Sequence, residues 1–392
     1  MPNASHSGPR APGIVLHIGA MKTGTTFLQQ LLADHREVLA EHGYHVPREP
    51  ALSLRGVLNG TPAADASTRR DRVAHQFLSG IREQDGRRSV VSWEFLSFLD
   101  QPRAARLVAA LGAGGESVDV VLTVRDAART IPAQWQTTCR NGNTVPWRRF
   151  VRDIGALLED GSTTRSTRVF RRTQEIPRML ETWIGVVGRE RVRVVTVPRA
   201  GGDPMLLWQR FAEASGIDPQ VPVSPGMRRN PSLGHPSCEL LRRVNVAFDG
   251  TLPAGVDKVI RAVVAPDLES RAGSEPAVRL DARGWEVAAA WNRLVRDAVT
   301  AAGTTVIGDL DDLPADPPVV AEDAEETRRP RPAEVLAAAA TARTGLIDLG
   351  ATPAAEPPED VDTAVQELAA MLRELAGVDL TAARRARGRG RR

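Results

Sequence analysis

The string GAMKTGTT, residues 19–26, puts one lysine, two glycines and three threonines into a single turn. These residue types suit the binding of a phosphate or sulfate. Glycines let the backbone fold tightly and approach a ligand, and N–H groups at a helix start point at an anion. The common nucleotide-phosphate loop reads G-x-x-x-x-G-K-[ST], its lysine directly after the second glycine. Gly19 and Gly24 keep that spacing, but Thr25 follows Gly24 and the lysine is Lys22. An ammonium three residues earlier sits on the other side of the anion, where it can neutralise the bridging oxygen of a leaving group. The chain has only two lysines, Lys22 and Lys258, and carries the rest of its positive charge on arginine. A compact ammonium on a flexible stem is therefore a specific choice here.

Three further places carry usable chemistry. In VVLTVRDAARTIPAQWQ (120–136), Arg125 ends an apolar run, and its guanidinium fork can bind phosphate oxygens bidentately. Glu94 follows SVVSW between two aromatic residues, Trp93 and Phe95. A partly desolvated carboxylate there can take a proton from an attacking hydroxyl. His45, next to Tyr44, is the second candidate base, whereas His17 alternates with core residues and reads as structural. In PGMRRNPSLGH (225–235), Arg228 and Arg229 form a polar, basic loop ahead of a helix.

The elements around these residues define the fold class. Apolar runs at 13–19, 44–47, 87–95, 117–125, 191–198 and 305–314 read as strands. Helical patterns at 25–43, 71–84, 102–111, 128–140 and 172–187 lie among them, and 48–70 reads as a loop. Alternating strands and helices imply a three-layer, P-loop-like α/β fold: a central parallel sheet flanked by helices. The strand–loop–helix context at 13–34 makes the loop motif meaningful.

K-T-G-T-T after a buried strand resembles the 5′-phosphosulfate loop of the sulfotransferases that use 3′-phosphoadenosine 5′-phosphosulfate (PAPS). The resemblance implies transfer of a sulfuryl group from PAPS to a hydroxyl or amine, by in-line attack and without a metal. It puts Lys22 at the bridging oxygen and 5′-phosphate, and Thr23, Gly24, Thr25 and Thr26 around that phosphate. It assigns Arg125 to the 3′-phosphate and nominates Glu94 as the base. It extends over residues 13–312. The family pattern R-[ND]-P-x-x-R-x-x-S is incomplete here, with Ala127 in place of the proline and Ala133 in place of the serine that binds the 3′-phosphate. Thr130, Gln134 and Arg129 are the alternatives for that serine's role. Arg228 and Arg229 match, loosely, a late basic loop over the 3′-phosphate and adenine.

Composition bounds the rest. The 392 residues carry a net charge of only +3 with 42% hydrophobic content, which is ample for a core and excludes a polycation. Two cysteines are too few for a disulfide framework or a metal cluster. The polar N-terminus lacks a secretory apolar stretch and no run spans a membrane, so a cytoplasmic protein is expected. Residues 1–12 read as disordered and 313–360 as a Pro/Ala/acid-rich linker holding one Ala-rich helix. Residues 361–392 read as an isolated amphipathic helix, capable of self-association through 361–376, and an Arg-rich tail. Without interleaved aromatics the tail gives no reason to expect nucleic acid. The acceptor is left open among small molecules, carbohydrates and lipids. A P-loop kinase or ATPase using Mg-ATP, and a degenerate nucleotide-fold binding protein, are the alternative functions.

Overall fold

The computed structural model describes residues 13–380 except 49, 60–68, 83–85, 114, 204, 225–231 and 319–328. The Arg228–Arg229 pair, the N-terminal residues 1–12 and the arginine tail lie outside the described residues. Strands β1 (Gly13–His17), β2 (Tyr44–His45), β3 (Arg88–Ser92), β4 (Val118–Val124), β5 (Val192–Thr196) and β6 (Thr305–Ile307) form one parallel sheet. Its order is β2-β3-β1-β4-β5-β6. Each strand falls inside an apolar run expected from the sequence.

That order matters for function. β1 lies between β3 and β4, so the chain leaves the same edge of the sheet after three adjacent strands. Those exits carry the 19–26 loop, Glu94 and Arg125. Ligands of open parallel sheets bind where the strand order reverses, beyond the carboxyl ends. Topology alone therefore gathers three of the candidate residues.

Both faces of the sheet are covered, and β1, β3, β4 and β5 are buried along their whole length. On one face Val15, Val90, Val121 and Val195 meet Leu28, Leu31 and Leu32 of the Thr25–Asp34 helix, with Trp208 and Phe211 of the Leu206–Ser215 helix. The Ile176–Val187 helix packs on β4, β5 and the Gln101–Leu111 helix. Asp119 sits in buried β4 and is neutralised by Arg88 of β3 and by Arg193 of β5 at 3.4 Å. The helix expected over 25–43 breaks at His35 and resumes as Arg36–Glu41. The expected loop at 48–70 contains a helix, Pro50–Leu58.

The chain forms two compact units. The first comprises residues 1–130, 169–227 and 288–316 and holds the whole sheet; the second comprises 131–168, 228–287 and 317–392. Its elements among the described residues are helical. The segment expected as a linker holding one Ala-rich helix falls within this second unit. Pro332–Ile347 is a helix that buries Val335, Ala338, Ala339, Ala342 and Leu346. Val361–Glu374 buries Val365, Leu368 and Leu372 and packs on it and on the His235–Val246 helix. Arg343 donates to Glu367 at 2.9 Å between the two helices. An alanine stripe resembles linker composition, but small side chains let helices approach closely. The self-association expected through 361–376 loses its basis, because the apolar stripe is already used inside the unit. Among the described residues no helix is long and apolar enough to cross a membrane.

Candidate active site

The 19–26 loop continues the sheet before it turns: Ile18 and Ala20 donate backbone N–H to Val121 and Thr123 of β4, both at 3.0 Å. Three residues then take left-handed backbone, Gly19 (φ 51°), Lys22 (φ 66°) and Gly24 (φ 85°). A Cβ at Gly19 would lie 2.5 Å from Thr25 Cγ2, and one at Gly24 would lie 2.5 Å from Leu207 Cδ2. Both glycines are thus required by space as well as by φ. Lys22 has no such freedom. A non-glycine in this region costs about 1–3 kcal/mol and tends to mark function.

The loop turns its carbonyls toward the protein. Ala20 O accepts from Thr23 Oγ1 at 2.6 Å, Met21 O from Gln174 Nε2 at 2.7 Å, and Lys22 O from Arg125 Nη1 at 2.8 Å. The N–H groups of Thr23, Gly24, Thr25 and Thr26 have no acceptor among the described residues. Four donors at the start of a ten-residue helix form an anion cradle. The Thr23 hydroxyl, expected at the anion, faces inward, so Thr23 offers its N–H instead.

Beneath the loop runs a hydrogen-bond chain. Thr23 Oγ1 lies 2.6 Å from Thr123 Oγ1, His17 Nε2 lies 3.3 Å from Thr123 Oγ1, and His17 Nδ1 lies 2.7 Å from Ser92 Oγ. The single proton of Thr23 goes to Ala20 O, so Thr123 donates to Thr23. His17 Nε2–H then donates to Thr123, and Ser92 donates to Nδ1. His17 is fully buried, and burial lowers its pKa to about 3, consistent with this neutral form. Its expected structural role holds: it joins β1, β3 and β4 under the loop.

His17→Leu is expected to cost about 2–4 kcal/mol, since Ser92 and Thr123 lose their partner in the core. The folded state binds the proton more weakly than the unfolded state. Its stabilising share is therefore complete above pH 6.5 and shrinks as pH falls toward 3. Urea denaturation should show the wild-type advantage over His17→Leu falling by about 1.4 kcal/mol per pH unit below 6.5. A pH-independent difference would contradict the neutral, donor-and-acceptor assignment.

Arg125 stands at the end of β4 with Nη1 on the loop, while its buried Nε has no partner. Burial, then repulsion from Arg129, lowers its pKa to about 10 despite Asp126. A buried guanidinium with an idle N–H is suited to a phosphate oxygen. Asp126 is occupied otherwise: its Oδ1 accepts from Ala128 N at 2.9 Å and from Asn292 Nδ2 at 2.8 Å. It caps the Ala127–Arg140 helix.

Glu94 begins a short 3-10 helix directly after β3 and is half-buried. Gln29 Nε2 donates to its Oε2 at 2.7 Å. A Cβ built on Gly19 would be 3.5 Å from Glu94 Cβ, so the carboxylate residue stands against the loop. His45 does not. It pairs with Ser89, which pairs with Ile14, three residues short of the β1 end at His17. At about 3.3 Å per residue this sets it roughly 10 Å below the strand ends. Burial, then Arg87 and Arg36, lowers its pKa. Ala133 belongs to the second unit, as a half-buried residue of the Ala127–Arg140 helix.

An apolar cavity of about 230 Å³ adjoins Glu94 through Gln29, walled by Leu32, Ala33, Val46, Pro47 and Trp93. Gln29, Gln174 and Thr123 were not picked out from the sequence. Thr123 left a signal, a polar residue inside the apolar run VVLTV. The glutamines left none, since Gln174 meets Met21 only through tertiary packing.

The first unit is thus a P-loop-like α/β domain whose loop leaves four N–H groups without an acceptor among the described residues. No protein-family model and no curated protein matches the chain. Among solved structures, a crystallised sulfotransferase from Alicyclobacillus acidocaldarius is similar, at 16% identity and a TM-score of 0.36, over 56% of this chain and 87% of its own. That similarity is too low to bear on the chemistry.

Proposed function

We propose that the first unit transfers a sulfuryl group from PAPS to the hydroxyl of a compact, largely apolar acceptor. The observation that carries this is the loop, with three consecutive carbonyls tied to the protein and four N–H groups left for an anion. In this reading the N–H groups of Thr23 to Thr26 hold the 5′-phosphate, and the Lys22 ammonium neutralises the bridging oxygen. Arg125 supplies its idle N–H to the 3′-phosphate. The acceptor oxygen attacks sulfur in line and loses its proton to Glu94. The sulfur–bridging oxygen bond breaks and its electron pair leaves with 3′,5′-adenosine bisphosphate. The cavity beside Gln29 supports an acceptor with an apolar body.

Mg-ATP chemistry on this loop calls for an acidic residue at a strand end to serve the metal. Arg125 takes the place at the end of β4; Asp126 lies one residue beyond it, with its Oδ1 held by Ala128 N and Asn292. This favours sulfuryl over phosphoryl transfer.

Calorimetric titration with 3′,5′-adenosine bisphosphate, without magnesium, tests the proposal beside ATP with magnesium. Expected is micromolar binding of the bisphosphate, weakened at least about tenfold by Arg125→Ala. Tighter binding of Mg-ATP would install the kinase reading. Failure of both nucleotides to bind would leave the fold as a binding module.

A further inference from the structure

The second unit contains a cavity of about 290 Å³ with an unusual charge balance. It lies at the starts of two long helices, Trp147–Asp160 and His235–Val246, and is lined by Trp147, Arg148, His235, Glu239, Arg242 and Arg243. Arg329 and Pro330 complete the wall. Four arginines face one carboxylate there. Glu239 binds Arg242 through both oxygens, at 2.6 and 2.7 Å, and Arg243 at 2.9 Å. Its pKa is lowered: burial alone would raise it, and the bonds and charges of Arg242 and Arg243 outweigh that. Arg243 also reaches the exposed Asp362 at 3.3 Å. Arg148 has no carboxylate partner among the described residues, so cations are in excess even after these pairs form.

A second observation is independent of the arginines. His235 is 5% exposed and lines the cavity, yet neither ring nitrogen has a hydrogen-bond partner among the described residues. Its ring stands edge-on to Trp135, with centroids 5.6 Å apart, so the imidazole is fixed in direction. Neither nitrogen is sealed off, so both are open to whatever enters the cavity. Pro146, the residue before the Trp147–Asp160 helix, provides no side-chain cap for its first N–H groups. Trp147 and the prolines supply apolar surface beside these donors.

We infer that this cavity binds a small organic anion, its carboxylate, sulfate or phosphate head held by Arg148, Arg242 and His235 and its apolar body lying against Trp147. The volume is at the small end for ligand sites, which run from about 300 Å³ upward. A head group accepts from the guanidinium of Arg242, whose orientation Glu239 and the Thr144 carbonyl (3.1 Å) already fix. This inference is independent of the transfer reading.

Titration of the full-length protein with benzoate and with inorganic sulfate, in chloride buffer at constant ionic strength, tests it. The Lys22→Ala background takes away the loop's ammonium and so weakens the loop as a competing anion site. Saturable binding should persist there, and benzoate should bind more tightly than sulfate because it covers Trp147. Arg148→Ala, at an exposed position, should weaken binding about five- to tenfold, and His235→Phe at least about tenfold. Binding that disappears in the Lys22→Ala background overturns the inference. So does binding indifferent to Arg148→Ala, a variant that leaves the helical core intact and answers even if His235→Phe fails to fold.

Discussion

Lys22→Gly is expected to stop sulfuryl transfer while leaving the fold as stable as before. The lysine holds left-handed backbone at φ 66°, for which a side chain incurs about 1–2 kcal/mol. Glycine removes that strain but adds about 0.5–1 kcal/mol of unfolded-state entropy. The two nearly cancel, so the unfolding free energy should change by no more than about 1 kcal/mol. Catalysis has no such compensation. Losing the charge opposite the leaving oxygen should lower turnover at least about 10²–10³-fold, the range for removing one preorganised donor. Lys22→Ala should lose as much turnover and keep the backbone strain. Lys22→Arg should not restore it, since a planar fork cannot stand in for a point charge at a bridging oxygen. Retention of more than about a tenth of the turnover in both Gly and Ala variants would remove Lys22 from the chemistry.

Why was this loop legible in the sequence while its supports were not? Gly19, Lys22 and Gly24 announce themselves because φ, space and charge all constrain single positions. The strands were legible for a similar local reason: a strand buried on both faces, such as Val118–Val124, must be apolar throughout. The braces on the loop depend instead on distant chain. Gln174 and Arg125 reach Met21 and Lys22 from 153 and 103 residues away. No local pattern encodes that meeting. The second unit hid for another reason. Its Pro332–Ile347 helix was expected as an Ala-rich helix, but it packs through alanines, so no amphipathic periodicity says which face is buried. His45 marks a third limit. Residue type made it a plausible base, but only strand register shows that it sits three residues too low.

Glu94→Gln should separate proton transfer from nucleotide binding. The amide matches the carboxylate in shape, and its oxygen can still accept from Gln29 Nε2, so the local packing is kept. What disappears is the ability to take a proton. Transfer from PAPS to a short aliphatic alcohol such as 1-hexanol should fall about 10²–10⁴-fold, the usual share of general-base catalysis. Affinity for 3′,5′-adenosine bisphosphate should stay within about twofold, because the N–H cradle and Arg125 are untouched. Glu94→Asp draws the base back by one methylene and should retain an intermediate rate. His45→Ala serves as the counter-test. With its imidazole roughly 10 Å below the strand ends, it should leave turnover unchanged. If instead His45→Ala stops transfer and Glu94→Gln does not, the proton leaves by β2 and Glu94 is not the base. Loss of bisphosphate affinity in Glu94→Gln would mean something different again: Glu94 would be shaping the loop it stands beside rather than taking a proton.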